Sequence, residues 1–126
     1  MKEELWLIWK DPIMHRRYKI GSLIKDSNKY KFTYINPELD EAKLAGFKYF
    51  PGFEDLEKKY ESNLLFVNIL TRLPNNTRPD YLEILNSYNL EKDSNNFEIL
   101  KATRGRTFTD SYEFVPSFDP NRIEFE

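Results

Sequence analysis

The sequence predicts an α+β fold in which a small antiparallel sheet packs against three to five short helices. Two observations predict it. The first third of the chain has the two-residue period of strands. The period then changes to helical from Pro37, with the longer helices within residues 62–105, and strand character returns at residues 107–115. We therefore expect an N-terminal meander and one C-terminal strand to form the sheet, with the helices after Ser62 covering one face.

The composition sets the limits of what this chain can be. Its 126 residues, 40% of them hydrophobic, suffice for one well-buried core. We expect a single domain over residues 1–116, with residues 117–126 as a tail or the start of a following element. Because there is no cysteine, disulfide scaffolds and thiolate metal sites are excluded. The apolar run at residues 5–9 is too short for a signal peptide or a membrane span, so we expect a cytoplasmic protein with no membrane partner.

The first two predicted strands flank a proline-containing connection. Residues 5–9 are a β-branched and aromatic run, and Pro12 cannot continue a central strand. Residues 18–24 resume the extended pattern. Gly21 within them indicates a bulge or a close approach of another group to the backbone.

A third strand completes the predicted meander. Residues 26–29 have the short polar side chains of a turn. After them, Tyr30, Phe32 and Tyr34 alternate with polar residues, which puts three rings on one face of a strand.

The middle of the chain predicts a helix, a loop and a further turn of helix. Residues 37–44 suit a short helix with Pro37 near its first turn and Gly46 as its stop. Residues 47–53 are an aromatic loop, which we expect to be packed down because exposing four rings is costly. Residues 54–60 are predicted to form a brief helical turn.

Two longer helices are predicted next. Ser62 is expected to cap the first, Pro74 ends it, and its apolar residues recur at helical spacing, namely Phe66, Ile69, Leu70 and Leu73. The second opens at Pro79, ends at Asn89 as a left-handed cap, and has the apolar stripe Tyr81, Ile84, Leu85 and Tyr88.

The last helix and strand follow from a capping signature. Asn95 with Glu98 three residues later is a capping box, and Gly105 closes the helix that it starts. Residues 107–115 return to strand character, with Tyr112 and Phe114 on one face.

The residue pattern offers little for catalysis. The one histidine, His15, lies beside Arg16 and Arg17, which disfavour both an imidazolium and a bound cation, so we interpret it as a solvated loop residue. No phosphate-binding glycine loop or nucleophile motif is present, and we predict no metal and no cofactor. The acids within residues 37–41 and 54–61 leave open one alternative, a small hydrolase that uses Asp or Glu.

Two arginine-bearing segments form the candidate site. One joins the two longer helices, and the other ends the last helix. Structural explanations exist for both, because Arg78 can pair with Asp80, and arginines at a helix C-terminus meet the negative end of its dipole. Arginine and tyrosine are nevertheless enriched among the residues that contribute strongly to binding at protein interfaces. We predict a partner-binding surface made of Arg72, Asn75, Arg78, Asp80, Tyr81, Arg104 and Arg106. The sequence does not show that these side chains converge.

Nucleic acid is the disfavoured partner. Basic residues interleaved with aromatic ones at residues 16–19 and 30–32 would suit single strands. A half-buried sheet with one wet face explains the same pattern, and the formal charge of −2 favours that explanation.

Several short motifs, read in order, resemble a known family. They are YKIGSL at residues 18–23, YKFTY at 30–34, LFVN at 65–68 with RLP at 72–74, and DSYE at 110–113. This order resembles the N-terminal subdomain of HipA-type toxin kinases, which also occurs as the free-standing HipS protein. The resemblance implies a non-catalytic regulatory module in a bacterial toxin–antitoxin or defence system. Its partner would be a kinase-like toxin or the product of a neighbouring gene.

A second resemblance gives the main alternative. Residues 51–53, 78–81 and 104–106 are similar to the segment that precedes a HIRAN domain in some bacterial proteins. That resemblance implies that this chain is a nucleic-acid-associated accessory domain, and a HIRAN domain is then expected to begin near residues 123–126.

Overall fold

The computed structural model describes residues 2–107 and 110–117. Within them, five strands form one antiparallel sheet in the order β4-β3-β2-β1-β5. The strands are β1 (Lys2–Lys10), β2 (Arg17–Asp26), β3 (Lys29–Tyr34), β4 (Tyr60–Ser62) and β5 (Tyr112–Pro116). The helices are α1 (Glu38–Leu44), α2 (Val67–Leu70), α3 (Tyr81–Ser87) and α4 (Asn96–Thr103). The predicted α+β class is confirmed, and the sheet contains the meander and the C-terminal strand, but it also contains β4, which was not predicted.

Gly21 accounts for the irregularity within the meander. Leu7 lies opposite Gly21 whereas Ile8 lies opposite Lys19, so Ile20 is an extra residue on β2. A Cβ atom added to Gly21 would lie 2.8 Å from the ring of Phe32 on β3. Both the bulge and the close approach that the glycine predicted are therefore present.

One face of the sheet carries the core. Because side chains alternate along a strand, the pairing of β1 with β2 and β5 puts one set of their large apolar residues on the same side. This cluster includes Leu5, Leu7, Ile20, Leu23, Phe32 and Phe114. Ile69 of α2 and Phe97 and Leu100 of α4 join it, as the sequence predicted for helices after Ser62, and α1 contributes Leu39 and Ala42 as well.

The aromatic loop is packed against the same core. Phe47, Phe50 and Phe53 are buried, whereas Tyr49 is exposed. The hydroxyl of Tyr34 on β3 accepts a hydrogen bond from the Phe50 backbone N–H at 2.9 Å and donates one to the Phe53 carbonyl. The predicted burial of this loop is thus correct for three of its four rings.

The prediction of helix for residues 54–60 is wrong. The Asp55 carboxylate accepts a hydrogen bond from the Glu57 backbone N–H at 2.9 Å, which stabilises a turn in competition with a helix. The chain then enters β4, which pairs with β3 from Tyr30 to Phe32.

The helix predicted to start at Ser62 is much shorter. The Ser62 hydroxyl oxygen accepts a hydrogen bond from the Leu64 backbone N–H at 3.1 Å, and α2 begins only at Val67. Ser62 therefore stabilises a turn and does not cap the helix.

The last two helices match their predicted signals in most respects. Asn95 and Glu98 form the predicted capping box, Asn89 has a φ of 60°, and Arg104 with a φ of 64° ends α4 just before Gly105. The predicted stripe of α3 is wrong at Tyr88, which is exposed.

β5 begins at Tyr112, later than the predicted residue 107. Residues 108–109 of that prediction and residues 118–126 of the predicted tail lie outside the described part of the chain.

Candidate functional site

Arg72, just after α2, has a structural role that the sequence did not indicate. Its side chain is only 8% exposed. One guanidinium nitrogen donates hydrogen bonds to the Gly105 carbonyl at 3.0 Å and to the Asp110 carboxylate at 3.2 Å, and a second nitrogen bonds the other Asp110 oxygen. The guanidinium carbon also lies 4.9 Å from the ring centre of Phe50. Arg72 therefore ties the end of α2 to the segment that leads into β5.

The phenol of Tyr112 belongs to the same cluster. Its ring centre lies 5.4 Å from the Arg72 guanidinium and 4.7 Å from the ring centre of Phe50. Burial raises the pKa of Tyr112 to about 12, and the nearby Asp110 carboxylate adds to this rise while Arg72 opposes it.

Arg78 pairs with Asp80, as the structural explanation of this segment predicted. Two guanidinium nitrogens donate to the two carboxylate oxygens at 2.9 and 3.0 Å. This pairing raises the pKa of Arg78 and lowers the pKa of Asp80. The loop that presents the pair is shaped by Asn75, whose side-chain oxygen accepts hydrogen bonds from the backbone N–H and the hydroxyl of Thr77 at 2.9 and 2.8 Å.

Three of the four arginines singled out in the sequence meet at one depression. It has a volume of about 380 Å³, and we call it the arginine groove, lined by Arg72, Leu73, Arg78, Ile84, Tyr88 and Arg106 among others. The Arg78 and Arg106 side chains are 54% and 66% exposed. The groove therefore combines two accessible guanidinium groups with apolar walls.

Two other predicted residues lie in a neighbouring depression. Asn75 and Tyr81 line an open groove of about 480 Å³ together with Leu70 and Leu73. Leu73 and Pro74 line both depressions, so the two grooves share part of their lining.

Arg104 does not line the arginine groove and lies beside the carboxylate of Glu113. Its nearest guanidinium nitrogen is 4.0 Å from an oxygen of Glu113 on β5, and the Arg106 Nε atom is 3.9 Å from the same oxygen. The other Glu113 oxygen accepts a hydrogen bond from Arg17. Arg104 and Arg106 thus share an acidic partner, while only Arg106 also lines the arginine groove.

Arg17 and Glu113, which lie beside Arg104, were not predicted from the sequence. They are 96 residues apart in the chain. Only the register brings them together, because Lys10 pairs with Arg17 while the nearby Ile8 pairs with Glu113. No local pattern in the sequence signals this proximity.

The carboxylates of the hydrolase alternative have local structural partners. Glu38 accepts a hydrogen bond from the Lys19 backbone N–H at 2.8 Å, and Glu54 accepts one from the Gly52 backbone N–H at 2.9 Å. His15 lies in an exposed loop. Among the residues that the structure describes, no group of three or more histidine, aspartate or glutamate side chains is arranged to hold a metal ion.

Comparison with known proteins finds no matching family model, no similar curated protein and no similar solved structure. Within residues 2–107 and 110–117, no helix is long and apolar enough to cross a membrane.

Proposed function

We propose that this protein is a non-catalytic, cytoplasmic regulatory module that binds a protein partner through the arginine groove. The observation that carries the proposal is the convergence of Arg78, Arg106 and Tyr88 on one open depression with apolar walls. Arginine and tyrosine are the residue types most enriched among those that contribute strongly to binding at protein interfaces.

The groove suits a protein segment in which carboxylates flank an apolar side chain. Tyr88 is 44% exposed, and Ile84 and Leu73 supply half-buried apolar surface beside it. An apolar side chain of the partner would cover this surface, and its carboxylates would reach the guanidinium groups of Arg78 and Arg106.

The ion pair between Arg78 and Asp80 would allow a carboxylate of the partner to replace Asp80. Arg78 and Asp80 are both solvent-exposed, and an exposed ion pair contributes little to stability. A partner carboxylate can therefore compete for Arg78 at small cost. Arg72, in contrast, is held by Asp110 and Gly105, so it fixes one wall of the groove.

The resemblance to the HipA N-terminal subdomain and to HipS supports the choice of partner. It points to a kinase-like toxin, or the product of a neighbouring gene, in a bacterial toxin–antitoxin or defence operon. The chain has no P-loop or related nucleotide-binding motif, which agrees with a regulatory module that lacks kinase activity.

The proposal is tested by calorimetry between the purified chain and each protein encoded beside its gene. We expect one of these proteins to bind, and a double variant Arg78→Ala/Arg106→Ala to bind at least tenfold more weakly, since each desolvated contact contributes about 1–3 kcal/mol. Arg16→Ala is the matched control, because Arg16 is an exposed arginine whose guanidinium lies over Tyr18, away from the groove.

Two results would reject the proposal. One is that no neighbouring gene product binds. The other is that the chain binds nucleic acid instead, with an affinity that falls steeply with salt, by about 0.9 in log–log slope for each duplex phosphate contacted. The second result would favour the HIRAN-associated alternative.

A further inference from the structure

A third depression is also lined by Arg106, and apart from Arg106 no residue of the predicted site or of the proposed function lines it. It has a volume of about 310 Å³, and we call it the Glu113 pocket, lined by Ile8, Lys10, Arg17, Arg106, Ser111 and Glu113 among others. Of these residues, only Arg106 also lines the arginine groove.

Strand pairing builds the pocket. Lys10 pairs with Arg17 across β1 and β2, and Ile8 pairs with Glu113 across β1 and β5, so these four side chains share one face of the sheet. The pairing continues past the end of β5, where the Lys10 backbone N–H donates to the Ser111 carbonyl at 2.9 Å. The pocket residues are therefore positioned mainly by sheet hydrogen bonds.

The charges around the pocket do not balance. Lys10, Arg17 and Arg106 are cationic, whereas the carboxylate of Asp110, which also lines the pocket, is held by Arg72. Among the described residues that line the pocket, Glu113 is the other acid. In this described lining, positive charge therefore exceeds negative charge in a concave site, which raises the local concentration of anions.

Glu113 lies close to these cations, but its carboxylate does not accept hydrogen bonds from all of their N–H groups. Its side chain is 14% exposed, and it holds Arg17 by a charge-assisted hydrogen bond. The Arg106 Nε atom, at 3.9 Å from the carboxylate, lies beyond hydrogen-bonding distance. A guanidinium has five N–H donors, so both arginines have donors to offer to a second anion.

We propose that the Glu113 pocket binds a phosphate group. A dianion matches the excess positive charge better than a single carboxylate does. The planar forks of Arg17 and Arg106 suit phosphate oxygens, the Ser111 hydroxyl adds a neutral donor, and buried Ile8 forms an apolar floor. The same chemistry serves free phosphate and a phosphorylated ligand.

A two-dimensional amide NMR titration of the full chain with inorganic phosphate tests this proposal. Ionic strength is held constant with sodium chloride, and a chloride-only titration serves as the reference. We expect saturable shifts at the amides of Arg106, Ser111 and Tyr112. The variant Arg17→Gln should weaken the affinity about tenfold, which corresponds to the loss of one charged hydrogen bond.

The controls separate this pocket from general surface charge and from the arginine groove. Arg16→Gln, one residue away and outside the pocket, and Arg78→Ala, in the groove alone, should leave the phosphate affinity unchanged. Lys10→Gln provides an independent test, with a similar loss expected, if Arg17→Gln fails to fold.

The source of the phosphate group is decided by a parallel titration with O-phosphoserine. Tighter binding of O-phosphoserine assigns the pocket to a phosphorylated ligand, and equal or weaker binding assigns it to free phosphate. The proposal is overturned if neither compound gives saturable shifts, if chloride reproduces them, or if Arg16→Gln weakens binding as much as Arg17→Gln.

Discussion

At the scale of single residues, Arg72 is the side chain whose loss should be most costly among the site arginines. Arg72→Ala would remove the guanidinium that donates to the Asp110 carboxylate and to the Gly105 carbonyl. We expect a loss of about 1–3 kcal/mol in the free energy of unfolding, measured by urea denaturation. Arg72→Lys should not restore it, because one ammonium group cannot reproduce the planar fork.

Arg78→Ala is the comparison for that experiment. Arg78 pairs with Asp80 in solvent, so its removal should leave the urea midpoint nearly unchanged. If the two alanine variants lost equal stability, the assignment of Arg72 to structure and of Arg78 to binding would be wrong.

The buried phenols make stability depend on alkaline pH. Burial raises the pKa of Tyr112 to about 12 and also raises the pKa of Tyr34. The unfolded chain ionises its tyrosines near pH 10, whereas folded Tyr112 keeps its proton up to about pH 12. The contribution of Tyr112 is therefore fully present below about pH 10 and is lost as the pH rises through its folded pKa.

Tyrosinate absorbance during an alkaline titration measures this effect. Tyr112→Phe keeps the ring beside Phe50 and removes the ionisable group, so a component that titrates near pH 12 should disappear while the chain stays folded. An unchanged titration curve would show that Tyr112 is not the buried phenol described here.

Residue-level interactions could be predicted from the sequence only where the partners are close in the chain. The pairing of Arg78 with Asp80 is such a case, since the two are two residues apart. The pairs Arg72–Asp110 and Arg17–Glu113 span 38 and 96 residues, and the fold alone brings them together.

At the scale of elements, the meander depends on the absence of a side chain at Gly21. Gly21→Ala places a methyl group 2.8 Å from the Phe32 ring, and we expect a loss of about 1–3 kcal/mol in the free energy of unfolding. Phe32→Leu in the same chain should recover part of that loss, because it removes the ring edge. A double-mutant cycle in urea with no coupling between the two sites would contradict this account.

The capping box of α4 provides a second test of local structure. The Asn95 side chain accepts a hydrogen bond from the Glu98 backbone N–H at 2.8 Å. Asn95→Ala should therefore cost about 1 kcal/mol in thermal or urea unfolding. Asn96→Ala, at the first helical position, is the matched control and should cost less. Equal losses would mean that the cap does not stabilise the helix.

Elements were predictable where local chemistry decides the conformation, and less so where pairing decides it. The Asn95 cap, the left-handed Asn89 and the alternating rings of β3 all have local causes. β4 has three residues, too few for a periodic pattern, and it is a strand because β3 lies beside it. Apolar residues at helical spacing continue from Phe66 to Leu73, but α2 ends at Leu70.

At the scale of the whole molecule, the edges of the sheet bear on how a partner binds. On β5, the Phe114 backbone N–H donates to the Arg104 carbonyl at 2.8 Å, the Tyr112 N–H approaches Asp110 at 3.4 Å, and Pro116 has no N–H. β4 at the other edge is three residues long. Within the described residues, neither edge offers a long row of donors for strand addition, which favours recognition through side chains in the arginine groove.

Hydrogen–deuterium exchange of the chain, with and without the neighbouring gene product that binds it, tests the central claim most directly. The account predicts that binding slows exchange in peptides that cover residues 70–74, 78–88 and 103–106, which border the arginine groove. Peptides from β3 and β4 should exchange at the same rate in both states. Protection confined to residues 29–34 and 60–62, with the groove peptides unchanged, would contradict the account.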